Sequence, residues 1–242
     1  MFGRMAQISA VVFDMYGTLV PSWSKAVWDE QKRACAAPLG IPEDVWLEAL
    51  DASWSDRLTG AFGDHLPETF RAVAAQAGYA PTDEQVAEAV SRRYAAYRAA
   101  QVLRPDALDT IRALRAAGLK IGLVSDCTHD LSDLWEELEL AAYFHATVFS
   151  CVERTRKPDR RLFLAAAERL GVRPEACLYV GDGGGDEMAG SSAVGMHPVL
   201  LAAEDWAEHH APGRPDAEWT GLRAETLSQI PAIIADLESA AA

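Results

Sequence analysis

The sequence is short of cysteine, of basic residues and of long apolar runs, and each shortage removes a class of protein. Its four cysteines, Cys35, Cys127, Cys151 and Cys177, lie far apart with no CxxC pair. Ordinary thiols in a reducing cytoplasm are the expected setting. Lysine and arginine number 22 against 36 aspartates and glutamates, for a net charge of −14. That balance disfavours nucleic acid and anionic membranes as partners. No apolar run approaches the roughly 20 residues that a membrane span requires. The short run Ile8–Phe13 is cut off by Asp14 and lacks a cleavage signature, so it is not read as a signal peptide. Internal repeats and low-complexity tracts are also missing. What is plentiful is core material: half of the 242 residues are hydrophobic, which suits one large domain or a core with an insertion. One difficulty follows from the charge, because a strongly acidic protein should repel an anionic substrate.

The chain changes rhythm twice. Ile8–Phe13 is nearly continuous in apolar, β-branched residues, as in a buried parallel strand. From Trp23 to about Ala100, apolar residues recur at three- and four-residue spacing. Helices are predicted over 23–37, 42–59, 66–78 and 82–98, separated by breaks rich in Gly and Pro. After Pro105, strands predicted at 119–124, 146–150 and 176–180 alternate with helices at 106–117, 131–140 and 160–170. A small helix from Asp186, the run Met196–Leu201, a short strand at 218–220 and a helix at 222–237 complete the pattern, with a loop from Pro212 to Pro215. Such alternation predicts an α/β fold, a parallel sheet flanked by helices. The expected organisation is a Rossmann-like core from 1–19 and 100–242, with a four-helix insertion over 20–99.

Ligands of open α/β sheets collect at the carboxyl ends of the strands. Four such ends carry suggestive residues: Asp14, Ser125, the stretch leading to Lys157, and Asp182 with Asp186. Singly, each has a plain explanation. Asp14 and Asp182 suit turns, Ser125 suits a helix N-cap, and Lys157 suits a solvated loop. The ordered set is far less expected by chance.

That set resembles the haloacid dehalogenase-like hydrolase superfamily. Its four motifs match in order as Phe13-Asp14-Met15-Tyr16-Gly17-Thr18-Leu19, Val124-Ser125-Asp126, Lys157-Pro158-Asp159 and Gly181-Asp182-Gly183-Gly184-Gly185-Asp186-Glu187. The resemblance implies that the inserted helices form a cap, hinged near Val20–Trp23 and Ala99–Leu103. It implies that Asp14 is the nucleophile and forms an aspartyl ester or aspartyl-phosphate that water then cleaves. Ser125 would hydrogen-bond a phosphoryl oxygen, with Thr18 and Asp126 also at the substrate, and Lys157 would balance charge. Mg²⁺ would be held by Asp14, the Tyr16 carbonyl, Asp182 and Asp186, with Glu187 able to replace Asp186.

Tyr16 departs from the phosphatase branch, which usually has a second aspartate at that position as general acid and base. With an ordinary pKa of about 10, a tyrosine is a poor proton shuttle near neutrality. Haloacid dehalogenases proper also carry tyrosine there, and they release halide without a metal. Arg33 and Arg57 are candidates to grip halide, although surface helix arginines are the expected description of both. Their fourth motif differs from the metal-type Gly181-Asp182-Gly183 of this chain, which favours a Mg²⁺-dependent phosphatase. Asp126, His129, Asp56 or His65 could then supply the missing proton. A catalytically silent ligand-binding member is the third class, against which the retention of the whole motif set argues.

The remaining marked residues have structural readings. Trp23, Trp28, Trp46 and Trp54 are expected to pack within the helical insertion. Cys127 is expected as a small buried filler, and His209-His210 lacks a ligand set for metal. The expected partner is a small anionic substrate, and the expected assembly is a monomer or homodimer. The charge of −14 need not repel that substrate if part of it surrounds a cation.

Overall fold

The apolar run near the start of the chain lies in the middle of a parallel sheet. Residues 7–206 and 219–240 are described in the computed structural model. Strand β1 (Ala10–Phe13) is buried along its whole length, as a strand covered on both faces must be. It pairs on one side with β2 (Lys120–Ser125), which pairs with β3 (Ala146–Phe149). On the other side lie β4 (Cys177–Gly181), β5 (His197–Leu201) and β6 (Leu222–Ala224). The order is β3-β2-β1-β4-β5-β6, with every pairing parallel.

Between β1 and β2 the chain forms α1 (Lys25–Leu39), α2 (Glu43–Ala52), α3 (Trp54–Leu58), α4 (Leu66–Gln76) and α5 (Asp83–Ala100). This block has its own apolar cluster, including Leu39, Trp46, Leu50, Phe70, Val73 and Val86. Trp46 meets Phe70 edge-on at 5.3 Å between ring centroids. Burial of such large side chains contributes about 1.5–3 kcal/mol each. Thr82 and Gln85 form a capping box that starts α5, satisfying amides that the first turn leaves open.

The helix predicted over 42–59 is divided. Ser53 Oγ donates back to the carbonyls of Ala49 and Leu50, and the chain restarts as α3 one residue later.

Around the sheet follow α6 (Ala107–Ala116), α7 (His129–Leu134), α8 (Ser150–Glu153), α9 (Arg160–Leu170), α10 (Glu187–Ala193) and α11 (Ile230–Ala240). The helix expected at 131–140 is shorter and passes into 3₁₀ turns at Trp135–Glu137 and Glu139–Tyr143. Helix α9 occupies the span predicted for it. Asp159 caps its N-terminus through the Arg161 amide, and left-handed Gly171 closes it. The last strand lies later than expected: Leu222, predicted to open a helix, pairs in the sheet, and the helix begins at Ile230. The Trp219 indole donates to the Leu222 carbonyl. The Pro212–Pro215 loop falls outside the described residues.

Arg104 fastens the two connections between block and sheet. Its Nε donates to the Thr18 carbonyl at 2.9 Å and its Nη2 to the Gly17 carbonyl at 2.8 Å. It also pairs with Asp205 at 2.8 Å. Asp205 accepts the Ser22 amide at 3.1 Å, so both connections meet at one ion pair.

Candidate active site

Parallel pairing aligns the strand ends, and four of them deliver polar side chains to one edge. Asp14 follows β1, Ser125 ends β2, Asp182 follows β4, and Lys157 arrives on the loop between α8 and α9. The Asp14 amide donates to the Val180 carbonyl, which prolongs the β1–β4 ladder to Asp14. Asp14, Ser125, Lys157 and Asp182 are all buried.

Lys157 Nζ lies 2.5 Å from Asp14 Oδ1 and 2.5 Å from Glu187 Oε2. Glu187 is completely buried and accepts from Tyr179 Oη at 2.6 Å and from the Gly183 amide at 2.8 Å. Carboxylate oxygens of Asp14, Asp182 and Glu187 lie within 4.8 Å of one another. Burial pushes the Asp14 carboxyl well above its ordinary range, and the charges of Glu187 and Asp182 push it further against the pull of Lys157. Burial opposes the charge on Lys157, but Asp14 and Glu187 more than reverse that and hold it above its ordinary value.

Glu187, not Asp186, completes this acidic centre. The loop before α10 passes through left-handed backbone at Gly183 (φ 95°), Gly185 (φ 66°) and Asp186 (φ 54°). Asp186 stands exposed beyond that turn, while Glu187 begins the helix with its side chain inside. The fit is close. A Cβ on Gly181 would lie 2.0 Å from Glu187 Oε1, and one on Gly17 would lie 2.0 Å from Asp182 Oδ2. Only glycine tolerates that approach.

Ser125 Oγ is buried without a hydrogen-bond partner, so it is not acting as a helix cap. A buried hydroxyl left open in this way calls for a partner. Thr18 Oγ1 lies 3.5 Å from Asp14 Oδ2. Asp126 Oδ1 accepts the Lys157 amide at 3.0 Å, and burial raises the Asp126 carboxyl above its usual range.

Tyr16 turns its hydroxyl toward the helical block. It bonds the Tyr97 hydroxyl, and Gln101 Nε2 donates to it at 3.5 Å. Burial pushes its pKa well above the ordinary tyrosine value, which removes the phenol as a proton donor near neutrality. Of the other candidates, Asp56 and His65 are exposed, and His65 pairs with Asp133. His129 is buried, and its Nε2 contacts the Gly63 carbonyl. Asp126 is the one tied to Lys157.

A family model described as a haloacid dehalogenase-like hydrolase matches residues 8–193. The chain belongs to that family. Among its relatives, a glyceraldehyde 3-phosphate phosphatase of Methanopyrus kandleri is 32% identical over 200 residues, covering 80% of this chain and 84% of that protein. A phosphoglycolate phosphatase of Salmonella typhimurium is 32% identical over 230 residues, covering 88% and 89%. A 2-haloacid dehalogenase structure from Pseudomonas syringae superposes with a TM-score of 0.69 at 23% identity, covering 95% of this chain and 99% of that one. This last likeness is one of fold. As a haloacid dehalogenase-like hydrolase, the chain is an enzyme with the expected Rossmann-like sheet. Among the described residues no helix is long and apolar enough to cross a membrane.

Several residues at the seam of this hydrolase carry no motif. Tyr97 and Arg93 lie one turn apart on α5. Tyr97 meets Tyr16, and Arg93 Nε pairs with Asp130 at 2.6 Å. Spacing of four was the available signal, since it puts both on one helix face. Tyr179, which holds Glu187, shows in the sequence as a single polar-tipped residue in an otherwise aliphatic strand.

The arginines expected on the surface divide. Arg33 is exposed and pairs with Glu43. Arg57 is buried and donates to Ser53 Oγ and the Leu50 carbonyl, because the break at Ser53 turns α3 inward. The tryptophans divide as well. Trp46 packs inside the block, whereas Trp23, Trp28 and Trp54 continue from Tyr16 as a chain of ring contacts, at 5.0, 4.7 and 5.7 Å.

Cys127 is buried, with its Sγ 4.0 Å from that of Cys151. Its hydrogen bond and His129 pull the Cys151 thiol down to about 5. His209-His210 lies outside the described residues.

Proposed function

We propose that this chain is a Mg²⁺-dependent phosphatase of small phosphorylated metabolites, acting through an aspartyl-phosphate on Asp14. One observation carries the reading. Three buried carboxylates lie within 4.8 Å of one another, and one lysine contacts two of them. Fully ionised, that centre has a net charge of −2. Without a cation, burial and the neighbouring carboxylates oppose the charge on Asp14. Buried oxygen donors of like charge suit a hard divalent cation. Asp14, Asp182 and Glu187 would hold Mg²⁺, which supplies charge neutralisation at the transferring phosphoryl group.

The residues then divide the work. An oxygen of Asp14 attacks phosphorus as the bond to the leaving oxygen breaks, and water later cleaves the acyl phosphate. Ser125 Oγ donates to a phosphoryl oxygen, and Lys157 offsets charge on Asp14 and the transferring group. Asp126, with its raised pKa, is the candidate to hold the proton that Tyr16 cannot give. The helical block serves as the cap, excluding water over the strand ends. The names of the two phosphatase relatives support the same substrate class.

The test is a paired assay with and without EDTA: phosphate release from a panel of phosphate esters, and chloride release from a 2-chloroacid. The expected result is EDTA-sensitive phosphate release, lost in Asp14→Asn with the fold intact. Chloride release that ignores EDTA would replace this reading by the dehalogenase one. Full phosphatase activity in Asp14→Asn would refute the nucleophile.

A further inference from the structure

We propose that Cys127 and Cys151 form a redox site, a dithiol that a small peroxide converts reversibly into a disulfide, and that its closure switches off the strand end beside it. The inference does not depend on the phosphatase reading, because Ser125 stands at that strand end whichever leaving group the enzyme expels. The two sulfurs lie 4.0 Å apart, against roughly 2 Å in a disulfide. The two segments are already clasped: Ser150 Oγ accepts the Cys127 amide at 2.9 Å and donates to the Cys127 carbonyl at 3.2 Å. The thiols differ in character. Hydrogen bonds from Cys127, His129 and Ser132 outweigh burial at Cys151 and hold it as a thiolate near neutrality. Burial and the neighbouring Cys151 keep Cys127 protonated. Cys35 and Cys177 are internal controls: they donate to the Gln31 and Arg173 carbonyls, and burial pushes both thiols up to about 12.

Cys127 is 3% exposed and Cys151 not at all. The loop between α3 and α4 covers them: a Cβ on Gly60 would lie 2.0 Å from the Cys151 carbonyl, and the Gly63 carbonyl meets His129 Nε2 at 3.0 Å. Local opening of that loop admits hydrogen peroxide, which is little larger than water, before it admits a bulky disulfide. The Cys151 thiolate attacks one peroxide oxygen, the O–O bond breaks, and hydroxide leaves, becoming water with the proton that Cys151 had released. Cys151 is then a sulfenic acid. The Cys127 sulfur attacks it, the S–O bond breaks, and a second water leaves with the Cys127 proton. Two thiols thus give two electrons to one peroxide. Drawing Cys127 toward Cys151 displaces the residues just before it: Ser125, with its open buried hydroxyl, and Asp126, which accepts the Lys157 amide at 3.0 Å.

The test treats the whole protein with hydrogen peroxide and counts thiols after denaturation. The count should fall from the four free cysteines of the reduced chain to two, with a Cys127–Cys151 cross-link in the peptide map, and dithiothreitol should restore all four. Hydrolysis, read as whichever of phosphate or chloride release the reduced enzyme performs, should fall by at least about tenfold and return with dithiothreitol. Cys151→Ser should keep its turnover in peroxide. Cys127→Ser should stop at the sulfenic acid, which dimedone labels at Cys151. Survival of all four thiols overturns the proposal, as does oxidation falling on Cys35 or Cys177 instead. So does a cross-link that leaves turnover unchanged, or the same reversible loss in Cys151→Ser. If either variant fails to fold, the wild-type thiol count, peptide map and reversal still decide.

Discussion

Replacing Asp130 by asparagine takes the one buried carboxylate from two buried guanidiniums. The side chains of Arg93 and Asp130 are 6% and 2% exposed, and their pair closes at 2.6 Å. Breaking such a pair by removing one partner costs about 3–5 kcal/mol, because the surviving charge stays buried. Arg57 stands beside the same carboxylate without one of its own, so the upper half of that range is expected. Each 1.4 kcal/mol is about tenfold, which puts the folding equilibrium down by roughly a thousandfold.

The pH dependence gives a second handle. Burial raises the Asp130 carboxyl, but Arg93, Thr128 and Arg57 more than reverse it and hold it below the ordinary value. A carboxyl depressed by folding contributes stability that is present above its unfolded pKa. That contribution is lost as pH falls through the folded value. Wild type should therefore lead the variant fully near neutrality, and the lead should shrink below about pH 4. Urea denaturation followed across that range measures both numbers. A lead under about 1 kcal/mol at neutrality, or one that stays constant into acid, would refute the idea that this ion pair ties the block to the sheet.

Three further outcomes follow from the acidic centre. Glu187→Gln should weaken Mg²⁺ binding by at least about tenfold by calorimetry, while Asp186→Asn should leave it within about twofold; equal effects would return Asp186 to the ligand set. Gly181→Ala places a methyl against Glu187 Oε1, where a Cβ has only 2.0 Å, and should cost about 1–3 kcal/mol and reduce Mg²⁺ affinity as Glu187→Gln does. Lys157→Met leaves Asp14 and Glu187 facing each other without their shared cation, so turnover should fall by at least about a hundredfold in a variant that still binds Mg²⁺.

The α/β alternation was legible because each strand is a short apolar run between polar turns, and its periodicity is local. The strand-end residues were legible because parallel strands put their carboxyl ends at one edge, so order along the chain becomes neighbourhood in space. The choice between Asp186 and Glu187 was not legible. Adjacent residues on a turn point apart, and which one faces inward depends on left-handed backbone at Gly183, Gly185 and Asp186. Arg57 was misplaced for a similar reason, since its burial depends on the break at Ser53. The Arg93–Asp130 pair spans 37 residues and joins two elements whose packing no periodicity describes.

Arg104 gives the fold a mechanical property. One guanidinium holds the carbonyls of Gly17 and Thr18, and through Asp205 it holds the amide of Ser22. The first carbonyls belong to the turn that aims Asp14, and the last amide to the root of the helical block. A displacement at the Ser22 root of the block is therefore passed, through one ion pair, to the turn that follows Asp14.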